Sequence, residues 1–451
     1  MTIRKSKKDI LNGNVLEQIL IFTIPLIGSY LLQQLYKIAD SLVLGRCVGK
    51  SALAAIGTST SIINVILNFI SGICTGTMIL VAQSYGSKNP EKVKKSVKTG
   101  FFIAFVLGAI LTIALALFTE PILVMTGCPD DAMEYSITYL KIYGYSFIPY
   151  LIFSIGRFIL VATGDSKRSL MFTIIIAVVK ISLDLLLTGV LKLGILGVSL
   201  ATFVAHLVCA IVVIIIFKNT SEIYQYSIKE FGVDKDSLIQ INKIGLPVAI
   251  QSTLFALTGL IVQTKLNAYG TDTIAAYSAY GDVDNIYWSF ANGLSSAAVT
   301  LIGQNYGNNN IRRVYEFVRK CIYVQIVMSI VICGIDFAFG RQMLSLYTSD
   351  SEVIEIGYQM IKAVAPYYNV YAFLEIPSCL CKGVGDATAS LIICTIGICI
   401  FRIIFLSVFN FTNAVQLMYS FTFSWVLTSA LYLIYILTSK KYPKIKKKSL
   451  R

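Results

Sequence analysis

Ionisable side chains interrupt a few of the long apolar runs of this sequence. Asp40 lies in one such run, Lys180 and Asp184 share another, and Thr202 and His206 lie in a third. An ionisable group costs about 3 kcal/mol at the centre of a bilayer, so each one needs a partner or a task. Carboxylates at that depth could bind and release protons or hold a sodium ion. These residues therefore point to the movement of an ion and not to the breaking of a covalent bond.

The expected depth of these residues indicates a single pocket. At ~1.5 Å per helical residue, runs that cross outward from about residues 15 and 169 carry Asp40 and Asp184 into the outer half of the membrane. The next run crosses back and carries Thr202 and His206 to a similar level. Lys180 and Asp184 are four residues apart and share a helix face. We predict an ion-coupling pocket formed by Asp40, Lys180, Asp184, Thr202 and His206.

The chemistry of this pocket has more than one interpretation. An ammonium group on Lys180 would favour the charged form of Asp184 and would occupy the space that a sodium ion needs. This favours protons over sodium, with Asp40 as the titrating carrier. The alternatives are a sodium site, or a buried ion pair that only holds the helices together. His206 could relay protons, but a histidine satisfied within the packed core accounts for it as well.

A second group of candidates lies further along the chain. Asp282 and Asp284 stand among aromatic residues, and carboxylates beside aromatic faces suit a lipophilic cation through charge pairing and cation–π contact. Glu375 lies deep in another apolar run and could line the same cavity or pair with Arg402. Helix packing remains the alternative role for each of them. We predict that substrate-binding residues come from the set Tyr36, Tyr280, Asp282, Asp284, Tyr287, Trp288 and Glu375.

Two prolines fall inside apolar runs at matching places in the two halves of the chain. Pro25 precedes Asp40 in the first run, and Pro247 lies in the first run of the second half. Proline removes a backbone hydrogen bond and kinks or loosens a helix. We predict that both prolines act as hinges, so that a change of charge at Asp40 is read out as bending of its helix.

The elements that must position these residues are membrane-spanning helices. Apolar residues make up 56% of the chain, charged residues only 14%, and the mean hydropathy is +0.74. Soluble domains carry roughly 25% charged residues, so this chain is solvated mainly by lipid. Apolar runs long enough to cross the hydrocarbon recur along its length. We predict an all-α integral membrane protein with twelve transmembrane helices, at about residues 15–44, 52–81, 99–118, 135–160, 169–190, 194–217, 238–266, 273–303, 319–339, 357–381, 387–409 and 414–438.

The net charge of +14 follows from membrane topology. Lysine and arginine concentrate in alternate loops, such as 88–98, and in the tail, whereas the intervening loops hold few of them. The positive-inside rule then places both termini in the cytoplasm, with the basic tail against anionic lipid. This placement argues against a nucleic-acid partner. One histidine, and ten cysteines without metal-ligand spacing, predict that there is no metal site and no cofactor.

The chain contains an internal repeat at an offset of about 221 residues. Gln83-Ser-Tyr-Gly86 falls on Gln304-Asn-Tyr-Gly307, and Gly164-Asp165 falls on Gly385-Asp386. Six helices separate the copies, so the repeat is parallel, a design in which transporters place their site at the repeat interface. The second copy is expected to lack the charged pocket. At this offset Asp40, Lys180, Asp184 and Thr202 correspond to Ile261, Phe401, Phe405 and Phe423.

This organisation predicts two six-helix lobes. The N-terminal lobe would span residues 15–218 and the C-terminal lobe residues 238–438. A cytoplasmic tail at 1–14, a cytoplasmic linker at 219–237 and a basic tail at 439–451 complete the chain.

Four segments resemble the multidrug and toxic compound extrusion (MATE) family of transporters. They are ADSLVLGRCVGKSALAAIG (39–57), VAQSYGSKNPEKVKK (81–95), RFILVATGDSKRSL (157–170) and TIAAYSAYGDVDNIYW (273–288). The resemblance extends from about residue 12 to residue 438. It implies a monomer in the cytoplasmic membrane of a bacterium or archaeon, which exports organic, usually cationic compounds against an inward flow of protons or sodium.

The positions of the acidic residues resemble one branch of that family. The NorM-type branch has coupling acids where this chain has Phe255 and Tyr371. The DinF-like branch has them where this chain has Asp40 and Asp184, although it usually has asparagine in place of Lys180. The chain therefore resembles the DinF-like branch.

The resulting prediction is a proton-coupled exporter that works by alternating access, with a small-molecule substrate and the lipid bilayer as its partners. Sodium coupling is the first alternative. A lipid-linked oligosaccharide flippase of a related superfamily is the second, although it would favour a basic cavity. An intramembrane enzyme is the third, and no HExxH, DDxxD or serine-nucleophile pattern supports it.

Overall fold

A computed structural model describes residues 10, 13–47, 50–439 and 441–442 of the chain. Within its helices, the side chains at 37, 39–47, 50–56, 58, 130 and 131 are not described. All regular structure in the described residues is helical, which confirms the predicted fold class.

Helices follow one another along the described chain with short connections. Three of the twelve expected spans are built from two helical pieces, and two contain a π-helical turn. The α-helices are α1 (Val15–Cys47), α2 (Lys50–Gly86), α3 (Pro90–Met125), α4 (Asp130–Tyr145), α5 (Phe147–Ala162), α6 (Ser166–Asp184), α7 (Gly194–Asn219), α8 (Lys235–Asn267), α9 (Thr271–Gly307), α10 (Ile311–Ser345), α11 (Ser351–Val364), α12 (Tyr368–Gly383), α13 (Ala387–Cys394), α14 (Phe401–Val408) and α15 (Ala414–Thr438). The π-helical turns are Leu185–Val190 after α6 and Thr395–Ile400 between α13 and α14, and short 3₁₀ turns lie at Ile228–Glu230 and Ala365–Tyr367.

Most of these helices are long and apolar enough to span a membrane. In the described residues, nine candidate spans meet the length and composition needed to cross a membrane. The pair α4–α5, whose two parts are bent by 49°, makes ten. The two remaining spans are α9 and the pair α11–α12, in which polar residues such as Asp284 and Glu375 lower the hydropathy. With these included, the helices match the twelve predicted spans one for one.

Local sequence signals account for several helix ends. Asn89 caps α3 by accepting a hydrogen bond from the Lys92 amide, and Asp165 caps α6 in the same way through the Arg168 amide. The two Gln-x-Tyr-Gly motifs end α2 and α9, as the repeat predicted. The glycines before Asp165 and Asp386 both have positive φ, 92° at Gly164 and 84° at Gly385, a conformation that favours glycine.

Contacts between helices divide the described chain into two compact units. The N-terminal unit is Gly28–Gly245, and the C-terminal unit combines the described residues of Met1–Ile27 and Leu246–Arg451. The chain therefore passes between units inside α1 and again inside α8, whereas the predicted lobes begin at residues 15 and 238. Pro25 and Pro247 each lie within two residues of these crossing points.

Glycine residues allow the first parts of α1 and α8 to pack closely against neighbouring helices of the same unit. A Cβ atom on Gly76 of α2 would stand 2.6 Å from the Gly245 Cα of α8, so the two backbones are in direct contact within the N-terminal unit. Likewise, within the C-terminal unit, a Cβ atom on Gly293 of α9 would stand 2.9 Å from the backbone nitrogen of Ile27 in α1. Such close approach is available only to glycine.

The contact at Gly76 can be tested with a matched pair of variants on α2. Gly76→Ala should destabilise the protein by about 1–3 kcal/mol because the new methyl group overlaps backbone atoms of α8. Gly57→Ala should be neutral or slightly stabilising, because among the described residues no atom outside the adjoining helix backbone lies within 4 Å of the added carbon. Thermal unfolding of both variants in the same detergent measures the difference. Equal melting temperatures would contradict the close contact.

Candidate functional site

A buried ion pair lies in the N-terminal unit. Lys180 Nζ stands 2.9 Å from Asp184 Oδ2, and the two residues are only 4% and 1% exposed. The four-residue spacing on α6 puts both on one face of the helix, as predicted. Opposite charges within hydrogen-bonding distance offset the large cost of removing each from water.

The carboxylate of Asp184 is only half satisfied. Its Oδ1 is buried and has no hydrogen-bond partner. The π-helical turn Leu185–Val190 begins at the next residue, and the buried Thr188 hydroxyl within it also has no partner. π-helical turns inside a helix are frequent at functional sites. The region around Asp184 therefore holds unused acceptor capacity next to irregular backbone.

Thr202 and His206 lie on α7, which packs against α6. The Thr202 hydroxyl donates to the Val198 carbonyl of its own helix at 3.0 Å. The buried His206 ring makes edge contacts with Tyr143 and Tyr150, at 6.3 and 5.0 Å between centroids, and its Nδ1 has no hydrogen-bond partner. Both side chains thus face the interior of the unit, and their roles in ion coupling stay predictions.

The first helix carries Asp40 of the predicted pocket and Tyr36 of the predicted substrate-binding set. Asp40 lies in α1, and its side chain is outside the described residues. Tyr36 lies one turn earlier and is half-buried. The coupling role of Asp40 and the substrate role of Tyr36 therefore also stay predictions.

A cluster of carboxylates and aromatic rings lies in the C-terminal unit. Asp284 of α9 accepts hydrogen bonds from Trp288 Nε1, at 2.6 Å, and from the Tyr368 hydroxyl of α12. Tyr287 stacks on Tyr368 with 3.7 Å between ring centroids and 7° between planes. Its hydroxyl also accepts a hydrogen bond from Gln325 of α10 at 3.2 Å.

Further aromatic residues extend this cluster towards Glu375. The Trp288 ring meets Tyr371 at 5.0 Å, and Tyr371 meets Trp425 of α15 at 5.4 Å, both edge to face. Glu375 accepts hydrogen bonds from the Tyr371 hydroxyl at 2.9 Å and from Ser295 at 2.7 Å. We call Asp284, Glu375 and these rings the carboxylate–aromatic cluster; its members are Asp284, Tyr287, Trp288, Tyr368, Tyr371, Glu375 and Trp425.

The structure divides the predicted substrate-binding group. Asp282 is exposed and lies apart from Asp284, because residues two apart point to nearly opposite sides of a helix. Tyr280, one turn before Asp284, is buried, donates a hydrogen bond to the Asp284 carboxylate and stacks with Tyr277 at 6.0 Å. Sequence reasoning missed Tyr368, Tyr371 and Trp425. They lie on other helices, so only tertiary packing reveals them.

Arg402 does not pair with Glu375, which was one of the predicted alternatives. Its Nη2 donates to Ser424 Oγ at 3.0 Å, and its guanidinium lies 4.2 Å from the centre of the Phe421 ring. It is buried, and its Nε has no partner. Asp336 of α10 is also buried, and its carboxyl interacts electrostatically with that of Asp284.

Comparisons with known proteins agree on one family. The MatE family model matches the chain twice, at residues 25–186 and 247–408. A probable multidrug resistance protein, YoeA of Bacillus subtilis (strain 168), is 27% identical over 393 residues, 85% of this chain and 84% of that protein. The multidrug export protein MepA of Staphylococcus aureus (strain MRSA252) is 25% identical over 344 residues, 76% of this chain and 75% of that protein.

A solved structure shows the same fold. It is the outward-facing conformation of a multidrug resistance MATE family transporter of the MOP superfamily, with a TM-score of 0.90. The match covers 98% of this chain and 100% of that chain at 18% identity.

The two matches to the family model begin 222 residues apart, one residue more than the offset of the Gln-x-Tyr-Gly and Gly-Asp motifs. At an offset of 222 residues, Arg402 and not Phe401 would correspond to Lys180. Each half also contains a π-helical turn, which takes one residue more than an α-helical turn. The one at Thr395–Ile400 precedes Arg402, whereas the one at Leu185–Val190 follows Lys180. The prediction that the second copy is apolar at every matched position depends on the offset that applies near Lys180 and stays a prediction.

A double-mutant cycle can test the buried pair on α6. Lys180→Met should destabilise the N-terminal unit by about 3–5 kcal/mol because Asp184 would remain buried without its counter-charge. The combined variant Lys180→Met/Asp184→Leu should recover most of that loss. Unfolding of the purified protein in detergent measures each free energy. Additive losses in the combined variant would show that the two residues act separately.

Proposed function

Because the chain belongs to the MATE family of multidrug efflux transporters, we propose that it exports organic cations in exchange for protons. The family match covers most of the chain in two copies, and relatives in two bacterial species are multidrug resistance or export proteins by name. We further propose that it acts as a monomer in the cytoplasmic membrane with both termini in the cytoplasm. The basic residues of alternate loops support that orientation.

One observation carries the assignment to protons. Lys180 Nζ occupies a position 2.9 Å from Asp184 Oδ2, where a sodium ion bound by that oxygen would have to lie. An ammonium group there supplies the positive charge that the carboxylate needs. Asp40 is then the acid left to gain and lose a proton during transport.

The proposed cycle begins with a proton that enters from outside and neutralises Asp40. Loss of that charge changes the packing of α1, which contains Pro25 near the point where the chain passes between units. Substrate affinity falls and the compound leaves outward. After the protein opens inward, the proton is released to the cytoplasm and the cycle restarts. In this scheme Pro25 and Pro247 provide the bending points of α1 and α8.

Sodium coupling is the second candidate, and one observation favours it. Asp184 Oδ1 is buried without a hydrogen-bond partner, which leaves one hard oxygen ligand available to a cation. A sodium ion bound there would need further oxygen ligands, such as the nearby Thr188 hydroxyl, which is also without a partner. The two candidates differ in which gradient drives transport.

We propose that the carboxylate–aromatic cluster binds the cationic part of the substrate. Asp284 would supply the opposite charge, and the rings of Trp288 and Tyr371 would supply polarisable faces. The hydrogen bonds to Asp284 from Trp288, Tyr368 and Tyr280 come from uncharged donors, so its negative charge remains available to a ligand. The acidic character of this cluster also favours a cation over the pyrophosphate of a lipid-linked oligosaccharide.

Transport in proteoliposomes under separately imposed gradients tests the coupling ion. A pH gradient alone should drive uptake of a fluorescent organic cation, and a sodium gradient alone should not. Asp40→Asn should reduce the proton-driven rate at least about tenfold, because the carrier is lost. Full sodium-driven activity of the unmodified protein without a pH gradient would overturn the proton assignment.

Lys180→Asn provides a specific control for that experiment. It introduces the residue that the DinF-like branch usually has at this position and removes the ammonium beside Asp184. If the ammonium takes the place of sodium, this variant should become responsive to a sodium gradient. A variant that stays insensitive to sodium would show that Lys180 does not decide the ion.

A matched pair of variants on α9 tests the substrate site. Asp284→Asn should weaken binding of an organic cation by roughly tenfold, because the change removes a charge pair in a partly desolvated site. Asp282→Asn removes the same charge two residues away on the exposed side of the helix and should change binding less than about twofold. Equilibrium binding of the purified protein in detergent measures both. Equal effects would exclude a specific role for Asp284.

A further inference from the structure

The segment that joins the two halves is a folded element of the N-terminal unit. We call residues 220–234, between α7 and α8, the connector; the sequence predicts it as part of a cytoplasmic linker. Its backbone turns back on the end of α7, where the Tyr226 amide donates to the Phe217 carbonyl at 3.0 Å. The connector belongs to the same compact unit as α3 and α7.

Two buried tyrosines fix the connector to the helices around it. Tyr226 stacks on Phe101 of α3, with 4.6 Å between ring centroids and 18° between planes. Tyr224 packs against Phe217 at 5.5 Å, and its hydroxyl accepts a hydrogen bond from Arg168 Nη1 at 3.2 Å. Buried aromatic pairs of this kind add to stability beyond the area they cover.

The end of the connector is fixed by hydrogen bonds. The Asp234 amide donates to Thr99 Oγ1 of α3 at 3.0 Å. The Asp234 carboxylate accepts hydrogen bonds from the amide and the hydroxyl of Ser237, at 2.9 and 2.8 Å, and these bonds lower the pKa of Asp234. A charged carboxylate at this point suits the start of α8.

The opposite side of the connector exposes apolar side chains. Ile228 is 64% exposed, Phe231 46% and Val233 43%. Phe231 packs against Phe102 and Phe105 of α3, with centroids 5.4 and 5.6 Å apart. Phe105 is itself exposed and lies in a helix that can span the membrane. The apolar side of the connector therefore continues the exposed apolar surface of α3.

The position of Phe231 along α3 indicates its depth. Lys98 is the last charged residue of α3 before an uncharged stretch that extends to Glu120. Phe102 and Phe105 lie four and seven residues past Lys98, which is about 6 and 10 Å along the helix axis. A ring that packs on both lies beyond the Cα atom of Lys98, while the Lys98 side chain extends to the connector, where a Cβ atom on Gly232 would stand 3.2 Å from its Nζ. If water reached that level, the apolar side chains of Phe102, Phe105 and Phe231 would be exposed to it.

We propose that the connector is an interfacial membrane anchor, with Ile228, Phe231 and Val233 inserted among the lipid acyl chains just below the headgroups. Interfacial segments bury their apolar face about 5–10 Å into this region, which agrees with the place of Phe231 on α3. The exposed Lys229 and Glu230 lie between the apolar residues and face the headgroups. Through Asp234 and Ser237 the anchor also holds the first part of α8 at the membrane surface.

Tryptophan fluorescence in vesicles tests this proposal. The chain has two tryptophans, so a Trp288→Phe/Trp425→Phe background reports only an introduced one. Ile228→Trp and Phe231→Trp are placed in this background and reconstituted into phosphatidylcholine vesicles. Phe105→Trp serves as the lipid-exposed reference. Ser221→Trp, an exposed polar position of the same connector, serves as the aqueous reference.

Lipid brominated near the carbonyl end of its acyl chains should quench Ile228→Trp and Phe231→Trp by roughly twofold, similarly to Phe105→Trp. Iodide in the aqueous phase should quench Ser221→Trp more strongly than either of them. If both connector positions instead follow Ser221→Trp, the connector lies in water and the proposal is wrong. Native-like elution from size-exclusion chromatography confirms that each variant is folded. The measurement needs no transport, so its result is independent of the coupling ion and the substrate.

Discussion

The cost of placing a polar group in hydrocarbon is the constraint on which this structure depends. Every charge inside a spanning helix must find a partner, because lipid offers none. In the N-terminal unit, α6 meets this demand locally through the pair of Lys180 and Asp184, one helical turn apart. The pair neutralises both charges but leaves one carboxylate oxygen unused.

The C-terminal unit meets the same constraint with uncharged donors. Asp284 and Glu375 are held by tyrosine, tryptophan and serine side chains, and Arg402 rests on Ser424 and the Phe421 ring. No ion pair is formed by these three residues in the described structure. Hydrogen bonds from uncharged groups and a ring face therefore shield these three charges, and Lys382 also interacts electrostatically with Glu375.

The chain passes between the two compact units inside two long helices, α1 and α8. Each half begins with a long helix whose first part packs with the other half's helices, and glycines at the contact allow the backbones to touch. A proline lies within two residues of each crossing point. A helix shared between two compact units, and weakened where it passes from one to the other, is a natural place for bending. The connector adds a fixed attachment at the start of α8.

The sequence by itself determined the helical class, the twelve spans, the repeat and the Lys180–Asp184 pair, since these depend on local hydropathy and on spacing within one helix. Tertiary structure decided which of Asp282 and Asp284 joins a cluster, because the partners of Asp284 come from other helices. It also showed that Arg402 contacts Ser424 and the Phe421 ring instead of Glu375. For residues 219–237 the sequence predicts only a cytoplasmic linker, because the rings that dock the connector contact residues distant in the chain. Contacts between distant residues decided each of these points, and local pattern does not encode them.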